Sequence, residues 1–307
     1  MEALQEVIKK QGSDSDAWYY LGLSLRDSGK VKDARKVFER TLSMRPNFAR
    51  GYTAMAYACL LDGDNKEAVK NVKRALALDP KDFESHCVAG MARLREGAPA
   101  VALAEAEEAL KIKSDYAEAL ILKTQALVNI FAKEQIKIGG GAGAQRKSAN
   151  SDAAVSEERR QERYSLLKQA SESLEAYLKL RPEQSGQGLW NQQLEALRAY
   201  AKLGSESDLA TAKLHPKILY RHPKILYREK AQYTDAARNA GIQGTVILMT
   251  VFADDGAIKH IMVLQPLSYG LTEQAIMAAR KIRFTPADKD GKPISVIIFL
   301  EYTFNPH

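Results

Sequence analysis

The chain of 307 residues offers few side chains for covalent or metal chemistry. Its two cysteines, Cys59 and Cys87, lie too far apart for a CxxC redox or zinc motif, and both sit in apolar helical contexts that read as buried free thiols. Of five histidines, His215 and His222 belong to a duplicated heptapeptide, and none pairs with a cysteine or carboxylate at metal-ligand spacing. The glycine-rich run Ile138-Gly-Gly-Gly-Ala-Gly-Ala144 has no following GK[ST] and no preceding strand, so it is not read as a phosphate loop. GxSxG, HExxH, a Ser, His and acid at motif spacing, and paired carboxylates in a Gly-bounded strand end are all missing from the sequence. The expectation is therefore no catalytic residue, no metal, no cofactor and no enzyme. What remains is recognition chemistry: main-chain hydrogen bonding by extended apolar segments, and grooves lined with Tyr, Arg and Met.

Composition narrows the partners. Lys and Arg number 45 against 38 Asp and Glu, a formal charge of +7, but the two signs are interleaved without a compact basic stripe, so nucleic acid is not expected as a partner. No apolar run reaches the roughly 18 residues of a membrane span. Met1 to Lys10 mixes Glu2 and Glu6 with Lys9 and Lys10, unlike the basic-then-apolar order of a signal peptide. Leu4, Val7 and Ile8 read either as the second helix of an earlier unit in a longer precursor or as a native N-terminal cap helix.

The elements that must present any binding surface emerge from internal periodicity. Trp18, Leu21, Gly22, Leu25, Ala34, Phe38 and Pro46 recur 34 positions on as Tyr52, Met55, Ala56, Cys59, Ala68, Val72 and Pro80, and again as His86, Ala89, Gly90, Arg93, Ala102, Ala106 and Ser114. This resembles the tetratricopeptide repeat, in which each unit is a pair of antiparallel helices and stacked units bury one continuous core. Repeats are expected at about 15–48, 49–82 and 83–116. A fourth, at 117–183, begins with Ala117, Leu120 and Leu127 and resumes with Ala170, Leu174, Tyr177 and Pro182 after a glycine-rich, charged insertion at about 133–163. Leu189, Trp190, Leu194, Leu197 and Tyr200 give a closing helix at about 187–203. The resemblance implies a groove lined by the first helix of each unit. Its positions here are Tyr19, Leu23, Arg26, Arg50, Thr53, Tyr57, Leu60, Glu84, Cys87, Met91 and Arg95. That lining suits an apolar or aromatic peptide or helix better than an acidic tail; another part of the same protein is the competing occupant.

From Tyr233 the period changes. Gly244 to Phe252 and Ile258 to Leu264 read as two strands around an Asp254-Asp255-Gly256 turn. Leu271, Ala275, Ala278 and Ile282 share a helix face, and Ile294 to Phe304 is a final strand after Asp290-Gly291. Tyr233 with Ala236 and Ala237, Gly244-Thr-Val246, Asp255-Gly256, Leu271 with Ala275, Arg280 with Arg283-Phe284-Thr-Pro286, and Gly291-Lys-Pro293 together resemble the TonB C-terminal domain. The fold expected overall is an α-helical repeat solenoid over 1–203, a linker over 204–230, and over 231–307 a small α+β domain with helices packed on a three-stranded antiparallel sheet.

The resemblance implies that the last strand is an open edge which adds an extended segment of an outer-membrane transporter. Its residues are Val296, Ile297, Ile298, Phe299, Leu300 and Tyr302. The competing reading is a core strand that needs no partner. Between the domains, His215-Pro-Lys-Ile-Leu-Tyr-Arg221 repeats identically as His222-Pro-Lys-Ile-Leu-Tyr-Arg228. Ile218, Leu219 and Tyr220, and Ile225, Leu226 and Tyr227, are thus candidate strand-pairing segments, a neutral duplication being the alternative. Two functions follow. One is a non-enzymatic adaptor of the bacterial cell envelope, periplasmic if a leader has been removed and cytoplasmic otherwise, with a protein partner on each surface. The other is a self-assembling structural protein whose partner is another copy of itself.

Overall fold

A computed structural model describes residues 14–139, 157–182, 187–205, 221–239 and 241–305. The chain forms two compact units, Met1–Ala126 and Leu127–His307.

The first unit is a series of helix pairs: α1 (Ser15–Asp27), α2 (Val31–Met44), α3 (Ala49–Leu61), α4 (Asn65–Leu78), α5 (Phe83–Arg95) and α6 (Pro99–Ile112). The 34-residue spacing is physical. Gly29, Gly63 and Gly97, which end the first helix of each pair, all take positive φ (79°, 85° and 72°), a conformation that glycine adopts without a Cβ penalty. Just beyond each, the N–H groups of Lys30, Asp64 and Ala98 donate to the carbonyls of Leu25, Cys59 and Arg93, all at 2.9 Å. Close approach within a pair rests on small residues. A Cβ on Gly22 would stand 2.4 Å from the Phe38 ring, and Ala34, Ala68 and Ala102 are all fully buried. Polar contacts tie successive pairs: the Arg35 guanidinium reaches Asp62 at 2.5 Å and Asp64 at 3.1 Å. Both cysteines are buried and free. Burial pushes the Cys59 thiol up to about 11 and the Cys87 thiol up to about 12, so both stay protonated and unreactive at neutral pH.

The unit boundary falls inside α7 (Ala117–Gly139). α7 and α8 (Glu157–Leu180) run into the inserted stretch from its two sides; the glycine-rich, charged stretch between them, expected as a loop, lies outside the described residues. So do Leu4, Val7 and Ile8. α8 packs against α9 (Gln187–Ser205) through the Tyr177 and Trp190 rings, 6.0 Å apart, and through an Arg198–Glu175 ion pair of 2.6 Å.

Within the second unit the chain continues as β1 (Lys224–Tyr227), α10 (Asp235–Asn239), β2 (Gly244–Phe252), β3 (Ile258–Gln265), α11 (Leu271–Arg280), β4 (Arg283–Thr285), β5 (Ala287–Lys289), β6 (Lys292–Ile294) and β7 (Val296–Phe304). The main sheet has order β3-β2-β7, all antiparallel, and α11 lays Leu271, Ala275 and Ile276 onto a core containing Val246, Leu248, Phe252, Val296 and Leu300. Two smaller antiparallel pairs stand beside it, β1 with β4 and β5 with β6. Of the linker expected over 204–230, residues 206–220 lie outside the described residues. Lys224–Tyr227 is a strand held on β4, because Ile-Leu-Tyr in extended form satisfies its main-chain groups by pairing.

Candidate binding surfaces

In the helical unit the first helices α1, α3 and α5 lie side by side, so their exposed residues form one face. Tyr19 anchors it. Its ring meets Phe48 edge-on at 5.0 Å and Phe38 at 6.2 Å. The Arg26 guanidinium lies 5.2 Å from the centre of the Tyr57 ring. Burial raises the Tyr19 hydroxyl above its ordinary pKa; Glu84 adds to this while Arg50 and Arg26 oppose it. Glu84 is raised by burial and by Asp82, against the pull of Arg50 and Arg26. The face therefore combines aromatic rings with two arginines and one carboxylate.

Leu23 and Met91 are half-buried and pack on the core beneath that face. Arg95 is exposed, and its guanidinium donates to the Leu60 carbonyl. Thr53 is a correction. It is 4% exposed, and its hydroxyl joins Asp82 at 3.0 Å and Ser85 at 2.6 Å in the packing between successive repeats, so it does not line a groove. Tyr116 was missed. Its ring meets Phe83 at 4.9 Å, and Lys113 lies over both rings. The signal was available, because Asp14, Phe48, Asp82 and Tyr116 fall 34 apart at the entry to each first helix.

The second surface is the outer edge of β7. Ile298 directs its carbonyl toward β2, accepting from the Thr250 hydroxyl at 3.0 Å, while the Glu301 carbonyl accepts from the Arg228 guanidinium on the other side. Alternation along a strand then turns the N–H and C=O groups of Ile297, Phe299, Glu301 and Thr303 away from β2. Among the described residues no strand pairs with them. Side chains alternate as well. Val296, Leu300 and Tyr302 are buried in the core and Ile298 packs against it, so their expected role as contact side chains is corrected to that of a support. Ile297 is half-buried and Phe299 is 36% exposed on the opposite face.

The other outer strand, β3, is treated differently. The Gln193 side chain of α9 accepts from the Val263 N–H at 3.0 Å and donates to the Val263 carbonyl at 3.5 Å. One carboxamide thus mimics the peptide group of a neighbouring strand. Further along, the Arg280 guanidinium reaches Gln192 at 2.6 Å, and Tyr200 meets His260 edge-on at 6.5 Å. Neither reading of the sequence anticipated this contact, since a glutamine on a helix carries no edge signal.

Ile225, Leu226 and Tyr227 are spent on β4, with Lys224 opposite Thr285, Ile225 opposite Phe284 and Tyr227 opposite Arg283. Ile218, Leu219 and Tyr220 lie outside the described residues. No group of His, Cys, Asp and Glu fit to hold a metal occurs among the described residues, and no helix there is long and apolar enough to cross a membrane.

Helix pairs at a 34-residue spacing, followed by a three-stranded sheet with one helix on its face, define a repeat solenoid joined to a strand-edge domain. Comparison with known proteins gives both parts a family. Residues 15–48 and 53–117 are tetratricopeptide repeats, and residues 229–306 match the family described as Gram-negative bacterial TonB protein C-terminal. A peroxisomal targeting signal receptor of Candida glabrata is 27% identical over 84 residues, which is 27% of this chain and 14% of the receptor's length. Among solved structures, MamA is 18% identical at a TM-score of 0.43, covering 58% of this chain and 88% of its own. The type IV pilus biogenesis factor PilW is 14% identical at 0.45, covering 66% and 79%. YrrB, described as a TPR protein with an unusual peptide-binding site, is 15% identical at 0.38, covering 59% and 93%. Tetratricopeptide repeats bind protein partners, and a TonB C-terminal domain belongs with proteins of the bacterial envelope.

Proposed function

We propose that this protein is a non-enzymatic adaptor of the bacterial cell envelope. The first-helix face around Tyr19, Tyr57, Arg26 and Arg50 holds one protein, and the outer edge of β7 captures an extended segment of another by β-augmentation. The observation that carries this reading is the contrast between the sheet's two edges: β3 has α9 packed on it and its Val263 peptide groups taken by Gln193, while on β7 the outward main-chain groups of Ile297, Phe299 and Thr303 have no strand against them and the Glu301 carbonyl is taken by Arg228. Main-chain pairing supplies affinity there, and Ile297 and Phe299 supply side-chain selectivity. An outer-membrane transporter segment fits this chemistry, and the periplasm is the compartment if a leader is removed from the precursor.

The exposed apolar residues Ile225, Leu226, Tyr227 and Phe299 favour a second reading, self-assembly. Within the main sheet, however, α9 and Gln193 cover β3 at Val263 and leave β7 as the pairing edge, and β7 on β7 closes as a two-fold dimer rather than growing into a filament.

The test substitutes proline at two adjacent positions. Phe299→Pro removes an N–H that faces outward, whereas Leu300→Pro removes one that faces β2. Titration calorimetry with extended peptides from the periplasmic termini of outer-membrane transporters should show binding to the parent chain and none to Phe299→Pro, with the thermal melt of that variant little changed. Leu300→Pro should unfold the domain. Undiminished peptide binding by a folded Phe299→Pro variant would remove β7 as the acceptor.

A further inference from the structure

The seat that β4 provides for the second heptapeptide copy is a binding site for the sequence HPKILYR, and we infer that the first copy, His215–Arg221, exchanges into it. Three observations carry this. First, the seated copy is held mostly by main-chain groups. β1 pairs with β4, and at its N-terminal end Arg221 donates to the Asp288 carbonyl at 2.8 Å while Asp288 donates to the Arg221 carbonyl at 3.0 Å. Such bonds do not distinguish one copy from the other.

Second, the seated side chains bury little. Ile225 is 42% exposed, Leu226 64% and Tyr227 51%, and a cleft of about 570 Å³ opens between Tyr227 and Glu229 on one side and Arg280, Lys281, Ile282 and Arg283 on the other. Release of this copy leaves no packed core behind.

Third, the anchor is duplicated. Arg228 lies 4.6 Å from the centre of the Tyr302 ring and donates to the Glu301 carbonyl; Arg221 is its equivalent in the first copy. A slip of seven residues therefore returns the same heptapeptide to the same seat. It changes only the flanks. Leu214 replaces Arg221 opposite Asp288, where main-chain groups alone are used, and His222 replaces Glu229, which loses its 2.8 Å ion pair with Lys281. The Lys281 end of that pair is 61% exposed and the Glu229 end 28%, so its loss is expected to favour the second copy by a factor of roughly five. The slip moves seven residues of the chain from the N-terminal side of the seat to its C-terminal side, while β2, β3 and β7 keep their places. The chain entering the domain thus has two set lengths. In either register the arginine of the seated copy meets the Glu301 carbonyl on β7, so the exchange is tested without any ligand on that strand.

Disulfide trapping tests it. Lys224 pairs directly with Thr285, so Lys224→Cys with Thr285→Cys should cross-link in the full chain under mild oxidation. The equivalent pair from the first copy, Lys217→Cys with Thr285→Cys, should also cross-link, within one chain and at a rate independent of protein concentration. Thr211→Cys with Thr285→Cys, which no seating matches, should not. Peptide mapping after digestion identifies each bond and separates it from any bond to Cys59 or Cys87. Failure of the Lys217 pair, a product of dimer mass only, or equal cross-linking from Thr211 would each overturn the exchange.

Discussion

The two outer strands of one small sheet meet opposite treatment. β3 has its main-chain groups at Val263 satisfied by the carboxamide of Gln193, contributed by a helix. β7 keeps its outward groups unpaired by any strand among the described residues, apart from the Glu301 carbonyl taken by Arg228. An unpaired edge invites association, and proteins ordinarily blunt it. Blunting one edge and leaving the other is what a strand-capturing module needs: two open edges polymerise, and none captures nothing.

The largest effect separates the two faces of β7 itself. Leu300 is 1% exposed and sits in the core with Val246 and Phe252, so Leu300→Ala should cost about 2–5 kcal/mol through lost burial and a residual cavity. Phe299→Ala, on the outward face, should change stability by less than about 0.5 kcal/mol while weakening peptide capture. Chemical denaturation of both variants checks this. Equal destabilisation by the two would mean that the Phe299 side chain is packed rather than available to a partner.

A smaller effect tests the other strand. Gln193→Ala leaves the Val263 N–H and carbonyl without their partner, and unsatisfied groups of this kind cost about 1–3 kcal/mol each when buried. The expected outcome is a destabilised α9 contact and a second acceptor edge, read as concentration-dependent oligomers by light scattering. Gln193→Ala that remains monomeric at every concentration would show that the body of α9, rather than its carboxamide, protects β3.

The parts of this arrangement differed in how legibly the sequence carried them. The repeats were readable because helix ends, turn glycines and small packing residues all recur at one period, so that three independent constraints agree. β7 was readable in its alternation, since Val296, Leu300 and Tyr302 fall inward at every second position. Its side chains were nevertheless assigned to a partner, because an apolar run does not reveal which of its faces is already occupied. Thr53 misled for a similar reason. Its helix position points to the groove, but an aspartate entering the next first helix captures its hydroxyl. Gln193 was invisible: it lies about seventy residues from Val263, and one polar residue on a helix says nothing about which distant strand it meets. The seat of β1 was half legible, the strand from Ile-Leu-Tyr and its partner β4 not at all.

The smallest effect comes from pH and should again fall on β3 alone. His260 takes a positive φ of 47° on that strand, with its ring against Tyr200. Burial lowers its pKa below the usual 6.5, the neighbouring charge of Lys259 lowers it further, and Glu195 opposes both. A histidine depressed in the folded state favours the fold while neutral. Its contribution is therefore complete above about pH 6.5 and is lost as pH falls toward the folded-state value, because the unfolded chain takes up the proton first. Amide-exchange protection at Val263 should accordingly decline in mild acid relative to that at Leu300, and His260→Asn, which tolerates the same backbone conformation, should abolish the decline. If protection at the two strands falls in parallel, the acid sensitivity belongs to the whole sheet, and the closed edge is not separately held.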